Sequence, residues 1–403
     1  MSEVFTGSFT QQEQIPQEGI EAAIAVMRHG RLHRYNLAEG ELGEAAELEQ
    51  EFAKLVGANF ALAVTSGGYA LGCALRAVGV RPGDEVLTNG FTLAPVPGAI
   101  ASLGAEPIFV EVGENLAIDL GDLKAKIASS SARVLMLSHM RGHLCDMDAL
   151  MKICDAADIV VVEDCAHTMG ASFNGVHSGQ HGQVGCYSTQ TYKHVNSGEG
   201  GFLTSNDPQI MARAIILSGS YMLYERHGAA PPPEAFKEIK WETPNISGRM
   251  DNLRAAILRP QLALLKTQVE NWNARYKAVE DGLRNTPGLT LIDRDPRGVF
   301  VGSSFQFRLP HANAGEIEHF TAACTARGVE LKWFGAPEPR AFTSRYDSWR
   351  YAGAQSLPTT DRILAGLLDM RLPLTFSLED CATIARIISD EARRLRDGMA
   401  LTG

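Results

Sequence analysis

No stretch of this 403-residue chain reaches the roughly 18 uncharged apolar residues that a bilayer-spanning helix needs. The N-terminus, MSEVFTGSFTQQEQ, lacks the charged-then-apolar layout of a secretory signal. The seven cysteines, at positions 73, 145, 154, 165, 186, 324 and 381, never fall at C-x-x-C spacing, so neither a zinc site nor a disulfide framework is indicated. Their odd number suits a reducing compartment. Positive charge is in short supply: 37 Lys and Arg against 47 Asp and Glu leave a formal charge of −10, which argues against a general nucleic-acid binder. Repeats and low-complexity tracts are missing as well. The expectation is a cytoplasmic protein with no membrane segment, no nucleic-acid partner and no metal.

What is present is ordinary for a globular chain, with 45% hydrophobic and 21% charged residues, enough to bury a sizeable core. Its length favours one large domain and one smaller one. Apolar runs at 59–64, 85–88, 107–111, 133–137 and 159–163 alternate with helical patterns at 68–78, 94–103, 120–128 and 146–156. Strands alternating with helices predict an α/β fold with a mostly parallel sheet covered on both faces. Residues 1–17 read as an irregular arm, and a long helix from Arg249 to Leu283, interrupted or bent at Pro260, leads onward. The remainder reads as α+β, with strands at 289–292, 300–308 and 329–333 and helices at 314–327, 360–368 and 377–396. The expected division is a large domain over 1–265, arm included, and a small C-terminal domain over 266–403.

The chemistry concentrates in VVEDCAHTMGASFNGVHSGQHGQVGCYSTQTYKHVNSGEGGFLT, residues 161–204. A buried strand delivers Glu163 and Asp164 at its carboxyl end, and Lys193 precedes a Ser-Gly-Glu-Gly-Gly turn. A lysine that can form an imine and a carboxylate that can keep a ring nitrogen protonated are the two groups pyridoxal 5′-phosphate needs most. Ser66-Gly67-Gly68 follows the first strand and opens a helix, where free amides and the helix dipole suit a phosphate. Ligands of such sheets sit beyond the carboxyl ends of the strands.

The motifs EDCAHTMG, SGQHG, YSTQTYK and SGEGG stand in the order seen in the DegT/DnrJ/StrS sugar aminotransferases, a family of fold-type I pyridoxal-phosphate enzymes that the chain resembles over about residues 20–390. GDEVLTNGFTLAPVPGAIASLGAEPIFVEV, SHMRGHLCDMDAL and GRMDNLRAAILRPQLALL extend the resemblance. It implies a large cofactor-binding domain on a mostly parallel sheet of seven strands. It also implies that Lys193 forms the Schiff base, Asp164 faces the pyridine nitrogen, His167 contacts the ring near its phenolic oxygen, and Ser66, Gly67 and Ser188 hold the phosphate. The sequence departs from the family at Gly68, where Thr is usual, at Tyr69, where Ala is usual, at Leu93, where most members stack an aromatic on the ring, and at Ser247, where Asn or Lys commonly reaches the partner subunit's phosphate. Members acting as 3-dehydratases carry His in place of the lysine, so Lys193 argues against that reaction.

The resemblance implies a transaminase that moves an amino group from glutamate or glutamine to a keto sugar or related small carbonyl compound, in a homodimer with shared active sites. The alternatives are a pyridoxal-phosphate lyase or dehydratase, or a non-enzymatic regulator carrying the cofactor. Substrate-cleft candidates are His139, which could equally be a packed core histidine, Arg31 in the basic 28–34 stretch, Arg249, and Trp333 at the head of the Arg- and Trp-rich 333–353 loop. Nucleotide sugars and carboxylated sugars stay open as acceptors.

Overall fold

The computed structural model describes residues 3–341 and 343–402, so residues 1 and 2 of the arm lie outside the described residues. Seven strands build the main sheet: β1 (Phe60–Val64), β2 (Glu85–Asn89), β3 (Glu106–Val110), β4 (Val134–Ser138), β5 (Val160–Asp164), β6 (Val184–Ser188) and β7 (Gly201–Ser205). Their order is β1-β7-β6-β5-β4-β2-β3, and β7 alone runs antiparallel to its neighbours. VLMLS, VGCYS and GFLTS are buried along their whole length, as strands covered by helices on both faces must be.

Alternation along each strand divides the core. Leu62, Val64, Met136, Val162, Cys186 and Leu203 pack on one side with the Gly67–Ala77, Pro95–Ser102 and Pro208–Leu217 helices. Ala61, Ala63, Tyr187 and Phe202 face the other side, with Leu135 and Val161, under the Glu44–Val56, Asn252–Leu283 and Met147–Ala156 helices. Asp119, Asp146, Asp207 and Asp251 cap their helices through side-chain bonds to first-turn amides.

A second, antiparallel sheet orders Thr290–Leu291, Ser304–Arg308, Leu367–Arg371 and Lys332–Trp333 side by side. The Asn252–Leu283 helix joins the two cores, packing Ala255 to Trp272 on the main sheet and Tyr276 to Leu283 on the small one. It runs through Pro260 without interruption. The helix expected over 360–368 ends at Ala365, and Leu367–Arg371 is instead a central strand of the small sheet. The 329–333 strand shrinks to Lys332–Trp333.

The arm is irregular in backbone but fixed in place. Phe5 and Phe9 are buried against Phe376 in edge-to-face contacts with centroids 5.0 Å apart, and the Phe5 amide donates to the Arg327 carbonyl at 2.8 Å. Among the described residues, no helix is long and apolar enough to cross a membrane.

Phe376 holds this clasp, so Phe376→Ala should cost about 3–5 kcal/mol and move the denaturant midpoint accordingly. An unchanged midpoint would show that the arm contributes nothing to stability.

Candidate active site

Strands β4, β5 and β6 run parallel, so their last residues share one rim: Ser138 pairs with Asp164 in register, and Ser188 closes β6. Asp164 is buried. One of its oxygens accepts from the Ser138 hydroxyl at 3.0 Å and the other from the Ala166 amide at 3.1 Å. Thr92 donates to the Ser138 hydroxyl at 2.8 Å, and the Asn89 side chain bonds both the amide and the carbonyl of Ser138. A relay Thr92–Ser138–Asp164 therefore aims the carboxylate. Sequence reasoning missed Thr92, Ser138 and Asn89; their position at the ends of parallel strands was the available signal.

Glu163, one residue earlier, points to the opposite face and is fully buried. It accepts from the amides of Gly179, His181 and Gly182 at 2.7–2.9 Å and from His139 Nε2 at 2.9 Å. Burial alone would raise its pKa, but the His139 hydrogen bond and charge, together with the Gly182 amide, bring it below the usual carboxylate value. His139, Glu163 and Cys165 could each point one ligand atom to a common point, yet the Glu163 oxygens are already occupied by these donors. The group acts as a clamp on the 179–182 loop. His139 thus faces Glu163 and not the cleft.

Lys193 sits in the loop after β6, half-buried, with its amine 2.9 Å from His167 Nε2. Its pKa drops from 10.5 to about 8: burial is the main cause, the positive charges of Arg141 and Arg371 add to it, and Asp164 opposes it. Burial, followed by the charges of Lys193 and Arg141, holds His167 well below 6.5. A neutral imidazole thus faces an amine whose neutral form becomes accessible as pH approaches 8. His194 turns away into the protein, where Nε2 meets the Ser303 hydroxyl at 3.0 Å and the ring lies edge-on to Trp272.

Ser66 caps the Gly67–Ala77 helix by accepting from the Tyr69 amide at 3.0 Å. Gly67 lies so close to β6 that an added Cβ would stand 2.8 Å from Ser188 Cβ; only glycine lets Ser66, Gly67 and Ser188 converge. Gly68 is exposed with open space at its α-carbon. This half-open helix N-terminus, with two hydroxyls at its mouth, fits an anionic phosphate, and Asp164 and Lys193 lie on strands and loops of the same rim. The residues present therefore fit pyridoxal phosphate. Ser247 is exposed in a segment held beside this turn by the Thr65 amide to Gly248 carbonyl bond of 2.9 Å. Leu93 packs, partly buried, against the cluster of Phe91, Met140 and Phe334.

The remaining substrate candidates have side-chain partners within the protein. Arg249 donates to the Gly219 carbonyl at 2.6 Å. Arg31 pairs with Glu41, and its neighbour Arg34 is buried in a two-pronged bond to Glu49 at 2.8 Å, which His227 also approaches. Trp333 donates its indole N–H to the Ala365 carbonyl at 2.7 Å. In the 333–353 loop, Trp349 and Tyr346 pack on Phe109 of β3, and Arg345 is taken up by Asp347 and Asp361, so this loop covers the sheet edge.

Comparison with known proteins adds the following. The model of the DegT/DnrJ/EryC1/StrS aminotransferase family matches residues 14–389. A putative L-glutamine:3-amino-2,3-dideoxy-scyllo-inosose aminotransferase of Streptoalloteichus tenebrarius is 31% identical over 250 residues, 62% of this chain and 58% of the relative. A GDP-perosamine synthase of Vibrio cholerae is 35% identical over 215 residues, 53% of this chain and 55% of the relative. The matched region thus spans less than two thirds of the length of these two curated relatives. Among solved structures, S. venezuelae DesV in complex with a ketimine intermediate superposes with a TM-score of 0.79 at 26% identity, covering 94% of this chain and 95% of that one.

The depressed Lys193 pKa is measurable in the protein alone. Competitive acetylation read by peptide mass spectrometry should show half-maximal reactivity of Lys193 near pH 8, the amine gaining reactivity as pH rises through that value, against 10.5 for an unperturbed lysine side chain. Lys193 tracking the surface lysines would remove the electrostatic account of the site.

Proposed function

Because the chain belongs to the DegT/DnrJ/EryC1/StrS aminotransferase family, we propose that it is a pyridoxal-phosphate-dependent transaminase that moves an amino group from glutamate or glutamine to a keto sugar or related small carbonyl compound. The observation that carries this reading is the half-buried Lys193 amine, with its pKa lowered to about 8, within 2.9 Å of His167 on the rim where Asp164 and the Ser66–Gly67–Ser188 cradle also lie. The relatives named above, an inosose aminotransferase and a perosamine synthase, support a sugar-derived acceptor.

Ser66, Gly67 and Ser188 would hold the phosphate of the cofactor, and Asp164 would hold its ring nitrogen. When bound, the cofactor supplies an aldehyde that takes up the amino group and a ring that accepts electrons from the carbon losing its proton. The chain's own residues handle the rest. The Thr92–Ser138–Asp164 relay keeps Asp164 aimed at the rim. Lys193 Nζ, uncharged over a usable fraction of the time near neutral pH, serves as nucleophile and then as the base that takes the proton from the α-carbon of the amino donor. His167 accepts or returns that proton across the 2.9 Å contact. In the same reading two copies share their sites. The exposed stripe of Ile20, Ile24 and Met27 on the Gln17–His29 helix supports a second copy as cover.

In a single turnover with glutamate, cofactor-loaded protein should release 2-oxoglutarate in proportion to sites. Lys193→Ala should lose at least about a hundredfold of that rate, and Asp164→Asn should lose about tenfold or more. No 2-oxoglutarate from glutamate and no 2-oxoglutaramate from glutamine would favour the lyase or regulator reading instead.

A further inference from the structure

The cleft in front of Lys193 holds more cationic chemistry than the cofactor requires, and Arg141 is its centre. Arg141 lies in the Met140–Gly142 turn with φ of 54°, a left-handed conformation unfavourable for a residue bearing a Cβ. Its own backbone amide reaches His167 Nδ1 at 3.4 Å, so the turn abuts the imidazole that contacts Lys193. The side chain is 8% exposed. Its Nη2 lies 2.9 Å from Asp369 Oδ2, but the two are not aligned as a hydrogen bond: Nε and Nη2 of Arg141 and Oδ2 of Asp369 all lack a hydrogen-bond partner. A buried guanidinium with unmet donors is rare and asks for a ligand.

The surroundings hold Arg141 in readiness. Asp369 is itself fixed from behind by Gln306 at 2.7 Å, and Gln306 by His143 at 2.9 Å. Arg141 leans over the Phe334 ring, with 5.8 Å to the centroid. Arg371, two residues beyond Asp369 on the same strand, lies over the Tyr192 ring at 4.4 Å and donates to the Phe9 carbonyl at 2.8 Å. Lys193 and Lys332 both feel the charges of Arg141 and Arg371. Glu13 bears on Arg371 and Glu330 on Lys332, so these carboxylates partly balance the outer cations. Arg141 has Asp369 beside it, in a geometry that leaves the fork unfilled.

We propose that Arg141, with Arg371 beside it, is the docking residue for a substrate carboxylate, and that Asp369 keeps its guanidinium oriented until that carboxylate arrives. A planar guanidinium matches a carboxylate in two parallel bonds, a geometry that a lysine cannot offer. The uncommitted donors are then explained by one function: they are met when an acid binds. The inference rests on the transaminase reading and deepens it, since it names the chemical class that the cleft selects. The carboxylate belongs either to the amino-acid donor or to an acidic keto acceptor.

The experiment titrates cofactor-loaded protein, loading being verified by absorbance, with glutarate and with its uncharged diamide in a calorimeter. Glutarate should bind at least about tenfold more tightly than the diamide. Arg141→Gln should erase that preference, Arg141→Lys should restore only part of it, and Arg371→Gln should weaken it. Asp369→Asn should tighten glutarate binding, because it removes a competing anion, whereas a merely structural role for the pair predicts loss. Should Arg141→Gln not fold, as judged by circular dichroism, the Arg371 and Asp369 variants carry the test. A raised KM for glutamate alone in Arg141→Lys assigns the carboxylate to the donor, and a raised KM for the acceptor alone assigns it to the acceptor. Equal affinity for glutarate and diamide, or a preference that survives Arg141→Gln, overturns the proposal. Protein that takes up no pyridoxal phosphate yet still prefers glutarate would keep the docking residue and remove the transaminase reading.

Discussion

Consecutive side chains on a strand must point to opposite faces of the sheet, and the whole site hangs on that alternation at Glu163 and Asp164. Glu163 turns under the sheet and gathers three backbone amides and His139, which ties down the loop leading into β6. Asp164 turns to the rim and is aimed by Ser138 and Thr92. A slip of one residue in the register of β5 would exchange the two, burying the wrong carboxylate and leaving the clamp without its acid. The clamp and the candidate cofactor partner are therefore one structural decision. Everything after it in the chain, from the Ser188 hydroxyl to the Lys193 amine, is delivered by the strand that the clamp positions.

Charge is managed by the same economy of placement. Partial burial and flanking arginines favour the neutral form of Lys193, while Asp164 limits how far its pKa falls. The balance leaves an amine that is neither permanently charged nor fully decoupled from a negative neighbour. Glu49, on the Glu44–Val56 helix beside β1, shows the contrasting case: burial opposes its ionisation, but Arg34 and His227 bring its pKa down to about 2. That acid is locked and inert, since its oxygens also take the Ala63 amide.

Much of the fold was legible because local signals agreed with the global arrangement. The alternation of short apolar runs with amphipathic segments marked β1 to β5 to within a residue, while β6, Val184–Ser188, lies among closely spaced glycines and polar residues and was not marked. Leu367–Arg371 escaped because only the single Gly366 separates LLDMR from the preceding helix, and its strand character comes from pairing with Ser304–Arg308 and Lys332–Trp333, partners that no local window contains. In the site, Lys193, Asp164 and the Ser66 turn could be read from motif and spacing. Arg141 could not, since its environment depends on Asp369, far along the chain, and on an unusual backbone angle. Arg31, a substrate-cleft candidate in the basic 28–34 stretch, shows the converse: Glu41, which pairs with it, and Glu49, which pairs with the neighbouring Arg34, become partners through the packing of the chain. His139 carried the same ambiguity and is spent on Glu163.

The central claim is that one amine, at residue 193, is poised on the rim that Asp164 and the phosphate cradle share. Borohydride reduction of the protein incubated with pyridoxal phosphate, followed by peptide mapping, tests it most directly. The account predicts one stable adduct per chain, carried by the peptide containing Lys193, and none in Lys193→Ala. An adduct spread over surface lysines, or one fixed at a different lysine, would contradict it.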